Sequence, residues 1–187
     1  TLRSALNSIL LTSNSDIVAA ITLEAGTLAS TSSATPATGL YAQLIALAEA
    51  DPRPNPTASG YGYLDGTLYS LVIVPVRAPD IIAWLVIGFR IDRDFAVDLK
   101  KLTGIDLTFF NSAGEALAST LPSGTMRDLA AALPRMGGAT GSRELSLGGE
   151  IALVATQRLA TGSRQSATLA LQYSLDEKLA PAREIER

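Results

Sequence analysis

The feature that most constrains this chain is an internal repeat. Ile17-Val18-Ala19-Ala20-Ile21 leads through Ala25-Gly26 into Leu28-Ala29-Ser30-Thr31. About ninety residues later, Ile105-Asp106-Leu107-Thr108-Phe109-Phe110 leads through Ala113-Gly114 into Leu117-Ala118-Ser119-Thr120. The closing segments also correspond, with Phe89-Arg90-Ile91-Asp92 in one copy and Tyr173-Ser174-Leu175-Asp176 in the other. A period this long is a small domain rather than a solenoid unit, so the chain reads as two tandem copies of one fold. We place them at residues 1–91, with an entry helix, and 92–187, with a connecting helix and an exit helix.

Local patterning gives each copy the same element order. Leu2, Leu6, Ile9 and Leu10 recur at helical spacing, which predicts an opening helix to about Thr12. Ile17 to Leu23 and Thr27 to Thr31 read as a hairpin, and Leu40 to Ala50 as a helix that Asp51-Pro52-Arg53-Pro54 ends. Three strands follow: Tyr61 to Leu64, Leu68 to Arg77 and Ile81 to Ile91, with Asp65-Gly66 as a tight turn. Asp92 caps a helix that Gly104 stops. The second copy repeats the plan, with a helix from Met126 to about Leu133, a loop at Gly137-Gly138, three strands between Ser142 and Ser174, and a last helix capped by Asp176. Five antiparallel strands with a helix between the second and third make an α+β, PAS-like or profilin-like plan.

Composition excludes several function classes. The 187 residues include no histidine and no cysteine, which removes the usual general base, thiol catalysis, disulfides and thiolate metal sites. A net charge of −3 with scattered arginines argues against nucleic acid as a partner. A Ser-Lys catalytic pair would have to use Lys100, Lys101 or Lys178, all on expected exposed helices. The chain therefore reads as non-enzymatic, without cofactor or metal. Asp92-x-Asp94 lacks the other oxygen ligands of a calcium loop, and Gly137 to Gly141 lacks the lysine of a phosphate-binding loop. The charged run Asp92 to Lys101 reads as a solvated helix face with local ion pairs. Thr1 falls within a helical pattern and Arg187 within another, so we expect a piece of a longer protein.

The segments Val74-Pro75-Val76-Arg77-Ala78-Pro79, Ile82-Ala83-Trp84, Gly88-Phe89-Arg90-Ile91-Asp92 and Asp98-Leu99-Lys100-Lys101-Leu102-Thr103-Gly104-Ile105, together with Leu117-Ala118-Ser119-Thr120-Leu121-Pro122 and Ser174 to Pro181, resemble the double Cache (tandem PAS-like) sensor domain of bacterial membrane-bound signalling proteins. The resemblance is strongest to sensors upstream of diguanylate cyclase and phosphodiesterase modules. It implies a periplasmic segment of an inner-membrane protein, flanking transmembrane helices, a small-molecule ligand, a homodimer, and control of cyclic di-GMP turnover. The Arg-Trp-Tyr constellation of amino-acid-binding members has no clear counterpart here.

The candidate ligand site is an aromatic cluster with polar neighbours in the first copy: Tyr61, Tyr63, Asp65, Tyr69, Arg77, Trp84 and Arg90. Aromatic walls with a few fixed polar groups suit a small molecule, and either arginine can hold a carboxylate in a bidentate fork. The competing reading makes these residues core and edge packing. The second copy, with fewer aromatics, is expected to be a spacer. Two alternatives stay open: a ligand-free dimerisation or docking module of a receptor such as a histidine kinase, and a cytosolic profilin-like or roadblock-like scaffold.

Overall fold

The computed structural model describes residues 1–136, 141–162 and 165–174. The chain forms two compact units, one of Thr1–Arg90 with Ala160–Gln165, the other of Ile91–Leu159 with Ser166–Arg187. Each is built on a five-stranded antiparallel sheet, and the architecture is the α+β double Cache, PAS-like fold.

In the first unit the elements are α1 (Leu2–Ser13), β1 (Ile17–Ile21), β2 (Thr27–Ser30), α2 (Leu40–Glu49), β3 (Ala58–Leu64), β4 (Thr67–Arg77) and β5 (Ile81–Arg90). The sheet order is β2-β1-β5-β4-β3. The strand β1 is buried at all five positions, because it lies inside the sheet with a helix over each face. On one face, Ile17, Ala19 and Ile21 meet Leu71, Ile73, Trp84 and Val86, with Leu40, Tyr41, Leu44, Ile45 and Ala48 of α2 above them. On the other, Val18 and Ala20 pack with Leu6 of α1. Asp16 closes the entrance to β1: its N–H donates to the Gly88 carbonyl at 2.9 Å, and its Oδ2 accepts from the Arg90 N–H at 2.7 Å.

The second unit runs α3 (Arg93–Thr103), β6 (Asp106–Asn111), β7 (Ala116–Ser119), α4 (Ser123–Ala132), a 3₁₀ turn (Leu133–Met136), β8 (Gly141–Leu147), β9 (Glu150–Leu159) and β10 (Ala167–Ser174). Its sheet order, β7-β6-β10-β9-β8, repeats the first. Asp92 caps α3 by accepting the Phe95 N–H at 3.0 Å, and Gly104 ends it at φ 70°, as their residue types predict. Phe95 of α3 lies over Phe109 of β6, with ring centroids 6.1 Å apart. The charged run is paired locally, Lys101 with Asp98 at 2.8 Å and Lys100 with Asp106 at 2.7 Å. Residues 137–140 and the helix expected from Asp176 lie outside the described residues.

The repeat is reproduced at the level of single hydrogen bonds. Thr31 Oγ1 accepts from the Val18 N–H, and Thr120 Oγ1 from the Leu107 N–H, both at 3.0 Å. Ser30 and Ser119 each accept the N–H two residues on, both at 3.1 Å. The register shift in β1 at Ala20/Ile21 recurs in β6 at Phe109/Phe110.

Candidate functional site

The β3–β4–β5 register separates the seven candidate residues into three places. Tyr69 and Trp84 lie in the α2 face, both buried. Tyr69 pairs across the ladder with Gly62 on one side and Arg90 on the other. Tyr61 and Tyr63 alternate with Gly60 and Gly62 along β3, so they point to the opposite face, beside Ser70 and Leu68. Burial pushes the phenols of both above the usual tyrosine range. Asp65 sits in the β3–β4 turn with φ 46°, exposed. Arg77 is the last residue of the inner strand β4 and donates from Nη2 to the Pro54 carbonyl at 2.7 Å. No one face holds all seven.

Local sequence explains why the α2 face is packed closely. Gly60 and Gly62 leave grooves in β3 that receive Leu44 and Leu40; a Cβ on Gly62 would stand 2.4 Å from Leu40 Cδ2. Trp84, 0% exposed, is set by its neighbours Ile21 and Pro75 in the ladder. Its indole Nε1–H has no acceptor among the described residues. A buried donor with no partner carries a desolvation cost of about 1–3 kcal/mol.

The second unit, expected to be a spacer, holds concavities of its own. One of about 420 Å³ lies between the β6–β7 turn and the 3₁₀ turn, lined by Phe110, Asn111, Gly114, Pro134, Met136, Arg158 and Thr168 among others. Another, about 260 Å³, lies at the opposite end of the same face and includes Asp106, Leu121, Thr125, Glu150, Gln172 and Ser174. They exist because the face under α4 carries small or polar side chains. Thr108, Thr156 and Gln172 are buried there, while α4 itself buries only Leu129. Sequence reasoning missed these residues because it followed aromatics. The available signal was Thr168, Ala170, Gln172 and Ser174 at alternate positions of β10, one whole face of a strand without a large apolar side chain. Among the described residues no group of acidic side chains is gathered tightly enough to hold a metal ion, and no helix is long and apolar enough to cross a membrane.

Solved structures place this fold beside those of receptor sensor domains. The ligand-binding domain of the Pseudomonas fluorescens chemoreceptor CtaA with L-isoleucine matches at a TM-score of 0.50 and 13% identity, over 95% of this chain and 76% of that one. The same domain with L-serine matches at 0.49 and 14%, over 93% and 79%. A domain of a sensory box/GGDEF family protein from Vibrio parahaemolyticus matches at 0.44 and 13%, over 94% and 78%. No protein-family model matches the chain, and no curated protein matches it.

Proposed function

We propose that this chain is the extracytoplasmic, small-molecule-sensing domain of a membrane-bound bacterial signalling protein, working as a homodimer between flanking transmembrane helices. The observation that carries the reading is the orphaned Trp84 Nε1–H, buried in the α2 face of a double Cache fold, with Arg77 at the end of the neighbouring strand β4. An anionic or carbonyl-bearing ligand gains a hydrogen bond from the indole and a charge-assisted one from the guanidinium. By binding one arrangement of the domain better than another, it shifts the population that the chain passes on. The output in this proposal is a cytoplasmic module that makes or degrades cyclic di-GMP.

The test is a metabolite screen by thermal shift, followed by the emission of Trp84, the only tryptophan. A hit is expected to perturb that emission and to weaken about tenfold in Trp84→Phe, which keeps the ring packing and removes the N–H. A hit unaffected by both Trp84→Phe and Arg77→Ala refutes the site. The parent sequence supplies a second check: spans of about 20 apolar residues on each side and a cyclic di-GMP module after the second.

A ligand-free docking or dimerisation module is the second reading. The seating of Leu40 and Leu44 against Gly62 and Gly60 favours it, because a filled interior needs no occupant. It predicts no hit in the screen and a dimer in sedimentation.

A further inference from the structure

The smaller concavity of the second unit has the properties of a binding site in its own right. Its floor is Gln172 on β10, 3% exposed, with neither Nε2 nor Oε1 hydrogen-bonded among the described residues. A primary amide offers two donors and a carbonyl acceptor, so an unpaired buried one is a complete recognition group without an object. Asp106 stands directly across the ladder from it. That carboxylate is fixed by Lys100 at 2.7 Å and by the Thr120 hydroxyl at 2.6 Å. Glu150 lies at the rim and accepts from Ser174 at 3.3 Å. The wall is closed by the β8–β9 turn, which is tied to α4 where the Gly148 N–H donates to Asp128 Oδ2 at 3.0 Å.

From this geometry we infer that the second unit binds a small cationic amine that also carries an amide or hydroxyl group. With Asp106 balanced by Lys100, the Glu150 carboxylate at the rim supplies the charge that favours a cation and repels a carboxylate. Gln172 selects a group able both to donate to its carbonyl and to accept from its amide. A volume of about 260 Å³ admits only a small molecule. The site is separate from the Trp84 face and does not depend on it.

Calorimetric titration with glycinamide and with ethanolamine tests the inference, with glycolate as the anionic control. Glycinamide or ethanolamine is expected to bind and glycolate not to. Gln172→Leu is expected to raise the melting temperature of the ligand-free protein, by removing the unpaired amide, and to weaken the bound probe about tenfold or more. Glu150→Gln, at an exposed position, weakens it several-fold without disturbing the fold, which keeps the test informative should the first variant not fold. Trp84→Phe leaves the probe's affinity unchanged. Absence of binding by both amines overturns the inference, as does binding that survives both Gln172→Leu and Glu150→Gln, or that is lost in Trp84→Phe.

Discussion

The two sheets share strand order, a register shift and paired threonine hydrogen bonds, yet they have different interiors. In the first, α2 buries five side chains against Leu71, Ile73, Trp84 and Val86. In the second, α4 buries one, over a face that includes Thr108, Thr156 and Gln172. The two sheets share their backbone pairing although the side chains on their inward faces differ. Whether a sheet face closes into a core or keeps a cavity depends on the volume and polarity of its inward residues. One fold thus supports an interior filled from α2 in one unit and, in the other, an apolar cluster flanked by polar concavities.

That contrast can be broken by adding methyl groups to each interior. Gly62→Ala puts a Cβ into Leu40, which is 2% exposed and has nowhere to move, and is expected to destabilise by about 1–3 kcal/mol in denaturant unfolding. Ala152→Val grows toward the cavity that Ala152 lines and should cost less than half as much. Equal costs would mean that the two faces are packed alike.

The shared threonines sharpen the comparison further. Thr31→Val removes the acceptor for the Val18 N–H, for about 1 kcal/mol. Thr120→Val removes the corresponding acceptor and also the donor to Asp106, so its cost should exceed the other's by about 1 kcal/mol. Matching losses in the two variants would show that the Asp106 bond contributes nothing.

The smallest effect belongs to Asp51, just beyond α2. A side-chain hydrogen bond from Arg53 holds its carboxyl well below the usual carboxylate range. With the folded pKa depressed, this contribution is present above about pH 4, the unfolded value, and is lost as pH falls. The pair is at the surface, with the Arg53 side chain 68% exposed, so solvent screens it. Asp51→Asn should lower the neutral plateau slightly and leave the most acidic end unchanged, which flattens the acid limb of the stability curve.

Much of the fold was legible because its signals are local. Apolar runs between turn residues marked the strands, Asp65-Gly66 the β3–β4 turn, Asp92 and Gly104 the limits of α3, and the repeated Leu-Ala-Ser-Thr the duplication. The grouping of candidate side chains was not legible in the same way. Tyr61 and Tyr63 share a strand face, as spacing alone requires. That this face is turned away from Tyr69 follows only from the pairing of Gly62 with Tyr69, a register that no single strand encodes. The same limit hid the polar face of β10. Leu169, Leu171 and Tyr173 look like the inward set until pairing with β6 and β9 turns Gln172 toward the interior.

The meeting of Asp16 with Gly88 and Arg90 has a consequence for how such a protein grows. The chain enters the first sheet on β1 and leaves it on the neighbouring β5 at the same end, so the sheet is a loop with its two ends clasped together. The second sheet is strung the same way, β6 beside β10, with Asp106 opposite Gln172. A module whose entrance and exit touch can be spliced into a chain, or copied within it, without re-threading a single strand. The duplication preserved in this sequence is what that arrangement makes easy.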